Sequence, residues 1–244
     1  MSESPSGLRE RKRQRTYQAI SDAAVSLFLA KGFDAVSVSE IADAAEVSKP
    51  TLFRYFPAKE DMALHRFADH EDEAARVVAA RAPGAAPLGA LEAHFLAGLD
   101  ARDPVTGLCD DPEVLAFHRL LYGTPSLVAR LHSYTARSEA ALAAELAGAA
   151  DGSDDGPSNG SADSSGDGPS DEPAHGSAHG SGTGRAALTA RLAAGQIITT
   201  QRVLALENWR RVSRGASAER CLVTARADAV HAFALLRTGL APYA

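Results

Sequence analysis

The sequence predicts an all-α protein, a small N-terminal helical unit followed by a larger all-α domain, and three observations carry that prediction. No stretch of useful length alternates β-branched and polar residues with period two. Apolar residues instead recur at helical spacing along most of the chain, and Ser, Thr, Pro and Gly fall where helices start and stop. Apolar residues make up 45% of the 244-residue chain, enough to bury a core. Their longest runs fall far short of the ~20 residues a membrane span needs, so no membrane partner is expected.

The first helix is expected from about Leu8 or Glu10 to Lys31, with Ile20, Ala24, Leu27 and Phe28 on one face and Gly32 as its stop. The next is announced by "SVSE": Ser37 as N-cap and Glu40 three residues on make a capping box, with Ile41 and Ala45 turning inward. After the connection Glu46-Val47-Ser48, Ser48 caps a third helix. Its first turn tolerates Pro50, because the amide lost there has no partner within the helix, and Pro57 stops it. A long helix is then expected over 59–82, ended by "APG", and further helices over 88–100, 111–122, 125–148, 185–213 and 217–239.

Two short helices joined by a tight turn and braced by a longer one specify a helix-turn-helix, here at 37–56, whose second helix is sized for the major groove of double-stranded DNA. Lys49, Thr51 and Arg54 fall on its outer face. Lys and Arg reach guanine edges, and a Thr methyl can touch a thymine methyl. Tyr55 and Lys59 come at the far end, where a phenol and an ammonium suit phosphate oxygens, and Ser37 at a helix start is a third phosphate candidate. Ser48, Pro50 and Phe53 complete the expected DNA-facing set.

The formal net charge of −6 conceals a segregation. Residues 1–66 carry ten Lys+Arg against nine Asp+Glu, and the rest of the chain fifteen against twenty-two. The basic run "RERKRQR", Arg9 to Arg15, reads either as a solvated helix start or as an extension that touches phosphates or the minor groove. Residues 149–184 hold seven acidic residues and no basic or aromatic one, a composition expected to be disordered and to act as a tether, with competition for the basic face as the alternative. His175 and His179 lie in that Gly-rich segment, which offers no helix to converge them on a metal. Cys109 and Cys221 have no metal-ligand spacing and read as reduced thiols.

The stretch "SVSEIADAAEVSKPTLFRYFPAKEDM" resembles the DNA-binding domain of the tetracycline-repressor (TetR) family of transcriptional regulators, over residues 8–66. It has the family's order of capping serine, Ile-Ala pair, Val-Ser turn, Thr-Leu-aromatic, Tyr-Phe and Lys-Glu. Phe53 departs from the tyrosine usual there, which leaves it packing against sugar or a thymine methyl. The resemblance implies that residues 67–244 form an all-α ligand-binding and dimerisation domain. Helices 185–213 and 217–239 would then build a four-helix bundle with a second copy. It also implies a cavity for a small-molecule effector, with Phe95, Phe117, Arg119, Tyr122, Tyr134, Arg202 and Trp209 as lining candidates beside His94, His118 and Asn208. The stretch "TPSLVARLHSYTARSEAALAAELA" and the late Trp209 also resemble a subset of actinobacterial-type members, some of which answer to acyl-CoA-like ligands, and Arg119 and Arg202 would serve an anionic, amphiphilic one.

The sequence carries no HExxH, no GxSxG, no phosphate-cradling Gly loop followed by Lys and no Cys/His pair at ligand spacing, so no catalytic residue, cofactor or metal is expected. The expected protein is a cytoplasmic homodimeric repressor, released from a palindromic operator by its effector. A ligand-independent or activating regulator and an architectural DNA-binding protein stand as alternatives.

Overall fold

The computed structural model describes residues 5–151 and 180–244, and the expected acidic tether lies outside the described residues except at its edges. The described residues form ten α-helices: α1 Pro5–Lys31, α2 Val38–Ala44, α3 Lys49–Tyr55, α4 Lys59–Leu64, α5 Glu73–Ala79, α6 Pro87–Ala101, α7 Pro112–Gly123, α8 Pro125–Asp151, α9 Gly180–Ser213 and α10 Ala218–Gly239. Helices α8 and α9 therefore run to 151 and from 180, past the expected limits of 149–184.

The cap chemistry is as the sequence requires. The Ser37 hydroxyl accepts from the Glu40 amide (3.2 Å) while the Glu40 carboxylate accepts from the Ser37 amide (2.8 Å). Lys31 adds an ion pair at 2.8 Å, and together these bonds hold the exposed Glu40 carboxyl down to about 2, the Lys31 bond contributing most. Ser48 caps α3 by accepting from the Thr51 amide.

The expected helix 59–82 is not continuous. It breaks into α4, a 3-10 segment His65–His70 and α5, which ends at Ala79. Long-range partners impose the break. His65 stacks on Tyr17 of α1 (5.3 Å), Phe67 packs on Phe117 of α7 (5.9 Å), and Glu71 pairs with Arg137 of α8 (2.7 and 2.8 Å). The 3-10 segment turns about 120° per residue in place of the α-helix's 100°, which sets the angles between these three contacts.

Two apolar cores result. One joins α1 to α4 through Ile20, Phe28, Ile41, Leu52, Phe56 and Met62, and takes in Leu121 of α7 and Leu127 of α8. The other lies between α5, α6, α8, α9 and α10, around Leu91, Leu99, Leu142, Ile197 and Phe233. The first core thus reaches past the expected boundary at residue 66, and α7 and α8 bridge the two. Buried Ser21 fastens α1 to α4 by donating to the Met62 carbonyl at 2.8 Å.

Candidate nucleic-acid interface and interior cavity

Helix α3 turns Leu52 fully into the core and leaves Lys49, Pro50, Phe53 and Arg54 exposed. Phe53 is 49% exposed, a large cost for an aromatic ring in water unless something covers it. The Ser48 hydroxyl donates to the Thr51 hydroxyl at 2.9 Å, which fixes the Thr51 rotamer and points its side chain along the helix start. Tyr55 is half-buried, with its ring edge-on to Tyr17 at 4.7 Å and the Arg54 guanidinium 5.6 Å above it. The turn into α3 is tight enough to put Glu46 at φ 54, a left-handed conformation unusual for a residue with a side chain.

Lys59 has a different place from the one expected. Its ammonium donates to the Phe33 carbonyl and lies over the Phe33 ring at 4.3 Å, so it braces the loop between α1 and α2. Ser37 is likewise occupied in its capping box, though exposed. The DNA-facing candidates that the fold brings together on one open surface are Ser48, Lys49, Pro50, Thr51, Phe53, Arg54 and Tyr55.

A cavity of about 210 Å³ lies between α5, α6, α7, α8 and α9. Four of the candidates for its lining are there: Phe95, Tyr122, Tyr134 and Arg202, joined by His94. The others are not. Phe117 is buried against Phe67, Arg119 faces solvent on the outer side of α7, and Asn208 is buried with its amide donating to the Thr106 carbonyl at 3.0 Å. Trp209 shares a helix face with Arg202 but sits seven residues, about 10 Å, farther along the axis, beyond the cavity's end. There it packs behind Tyr122 at 4.9 Å.

One wall of the cavity has no counterpart among the sequence expectations. His70, Glu71 and Glu73 face the cavity, and Glu73 accepts from His70 (2.9 Å) and lies 3.2 Å from His94. The His70 bond holds the Glu73 carboxyl below its usual range. The dense "HEDE" run at 70–73 is the only local signal, and it does not reveal which way each group points. Burial raises the phenols of Tyr122 and Tyr134, which keeps both as neutral donors. Behind Tyr122, burial pushes the His118 imidazole down to about 4, and its Nδ1 and the Trp209 Nε1 have no hydrogen-bond partner among the described residues.

Helix α8 serves both places. Leu131, Tyr134, Thr135 and Ser138 line the cavity, while Arg130 grips Asp61 of α4 through two bonds (2.7 and 2.9 Å) and Arg137 grips Glu71.

Comparison with known proteins agrees with this geometry. Residues 20–65 match the family described as "Bacterial regulatory proteins, tetR family". The chain is 37% identical over 134 residues to the HTH-type transcriptional regulator TcmR of Streptomyces glaucescens, covering 54% of this chain and 58% of that protein. It is 45% identical over 60 residues to the mycofactocin biosynthesis transcriptional regulator MftR of Mycobacterium tuberculosis, covering 25% and 30%. The matched part therefore spans little more than half of these relatives at most. Among solved structures, a chain from Mesorhizobium loti assigned to the TetR family superposes with TM-score 0.51 at 17% identity, over 93% of this chain and 96% of that one, a likeness of fold.

Proposed function

From the premise that residues 20–65 are a TetR-family DNA-binding domain, we propose that the chain is a one-component transcriptional regulator, a homodimer that represses from a palindromic operator and is released by a small molecule. The observation that carries the reading is the exposed outer face of α3, where Lys49, Phe53 and Arg54 stand open beside capped, rigid backbone. Lys49 and Arg54 read base edges, and Tyr55 with the Ser48 and Ser37 ends of the helices fix register on phosphates.

Residues 67–244 form the effector and dimerisation domain. The second copy docks on α9 and α10, where Leu188, Leu192 and Val203, and Val223 and Val230, stand exposed at spacings that keep each set on one helix face. The effector is an amphiphilic molecule whose apolar body packs on Phe95, Leu121, Tyr122 and Ile198 and whose anionic group meets Arg202. A regulator of this kind works in the cytoplasm, and among the described residues no helix is long and apolar enough to cross a membrane.

Coupling runs through α8 and the broken segment 65–72. A ligand that displaces Tyr134 and Leu131 moves the helix that holds Asp61 and Glu71, and with them α4 and the reading head. Effector and DNA then oppose one another by one coupling energy, typically ~1–3 kcal/mol.

The test is binding of the purified protein to the DNA flanking its own gene, or to sites selected from random-sequence duplex, by fluorescence anisotropy at ~50 and ~200 mM salt. Affinity at a specific site is expected to fall by ~10³–10⁵ across that range. Lys49→Ala is expected to relax discrimination at particular base pairs and Tyr55→Phe to weaken all sequences alike. Salt-insensitive binding, or no selected site, would overturn the reading.

A further inference from the structure

The basic run that precedes the family-matched span folds as the first turns of α1, and its arginines are not equivalent. Stepping back along the face that is buried at Ala24 and Ile20, the helix presents half-buried Tyr17, then Arg13, then Arg9, at intervals of three and four residues. The core face of α1 thus continues beyond the edge of the domain as two exposed arginines. Arg11 and Arg15 fall on the opposite side, roughly half a turn away.

That face has a definite neighbour. The Arg13 guanidinium lies over the Tyr17 ring at 5.9 Å, Tyr17 meets Tyr55 edge-on at 4.7 Å, and Arg54 lies over Tyr55 at 5.6 Å. A ladder of cation, ring, ring and cation therefore joins the start of α1 to the end of the recognition helix. Arg9 lies eight residues, about 12 Å along the axis, before Tyr17. Successive phosphates on one DNA strand are ~3.4 Å apart along the duplex axis, so this reach corresponds to three or four of them.

We propose that Arg9 and Arg13 form a second phosphate-binding strip, continuous with the recognition surface, which clamps the DNA backbone flanking each half-site. This rests on the DNA-binding reading above. Both side chains are long, exposed and of the right charge, and the strip lies outside the residues by which the family is matched. Glu10 competes for the same cation: its carboxylate pairs with Arg13 at 2.9 Å, with both groups about 60% exposed, so phosphate replaces Glu10 at little cost in solvation.

The experiment uses the full-length protein and a site selected from random-sequence duplex, offered with ~4 base pairs of extra flank on each side or without. Arg9→Ala/Arg13→Ala is compared with the charge-matched Arg11→Ala/Arg15→Ala. The first pair is expected to weaken binding on the order of tenfold at moderate salt. It should also lower the slope of log affinity against log salt by about 0.9 for each phosphate no longer neutralised, and leave base preference unchanged. Trimming the flanks should weaken the wild type similarly and the first pair hardly at all. Glu10→Gln should tighten binding.

Equal effects of the two arginine pairs, or flank trimming that costs the first pair as much as the wild type, would overturn the strip while leaving the regulator reading intact. Failure of the wild type to select any site would overturn both. Circular dichroism of each variant keeps a folding defect from being mistaken for weakened phosphate binding.

Discussion

Residue by residue, the local chemistry of the reading head is legible because it is local. Ser37, Glu40 and Ser48 announce caps whose partners lie three residues away, and the structure forms those bonds. Lys59 departs from its expected place for the opposite reason: its partner, the Phe33 carbonyl, lies 26 residues back, and spacing along a helix carries no trace of it. His118, a candidate for the cavity on sequence grounds, is a buried, neutral imidazole behind it. Its folded pKa, about 4, lies below the ordinary 6.5 of the unfolded chain, so between those values the unfolded chain binds more protons. Stability is therefore complete above pH ~6.5 and is lost as pH falls towards 4, by at most ~3 kcal/mol from this group. Urea unfolding at a series of pH values is expected to show that slope in the wild type and a flatter one in His118→Phe.

At the scale of elements, the helices with a strong apolar period lie within a few residues of their expected limits. The segment 59–82 does not, because its break answers to Tyr17, Phe117 and Arg137 on three other helices. The pairing of Asp61 with Arg130 is part of the same arrangement. Arg130→Met leaves a carboxylate that is 11% exposed without its partner and is expected to cost about 1–2 kcal/mol, read by urea unfolding. Hydrogen exchange should show α4 losing protection ahead of α10.

Another element-level dependence sits where the loop after α6 crosses α9. Gly107 has φ 73, and a Cβ there would stand 1.9 Å from the Ala205 carbonyl oxygen. Gly107→Ala combines a left-handed strain with a backbone clash, and is expected to destabilise by ~3 kcal/mol or more, measured by thermal and urea unfolding. It should also distort the cavity, since Val105, Thr106 and Ala205 all line it.

For the molecule as a whole, the proposed dimer rests on faces that a monomer would leave wet. Val223 is 78% exposed and Leu192 57%. Leu192→Glu/Val223→Lys is expected to give a folded monomer by light scattering, with operator affinity lowered by the lost linkage of two reading heads. A dimeric mass would place the interface elsewhere. The sequence by itself determined the all-α class, the helix-turn-helix and the outer face of its second helix, because periodicity, caps and turn residues act over three to eight positions. Only the tertiary structure decided where the long helix breaks, that α7 and α8 bridge the two cores, and which candidates reach the cavity. It also set Tyr17, with Arg13 over its ring, against Tyr55 at the end of the recognition helix. Each of those outcomes depends on partners tens of residues away, whose positions follow from the packing of whole helices and not from the spacing within any one of them.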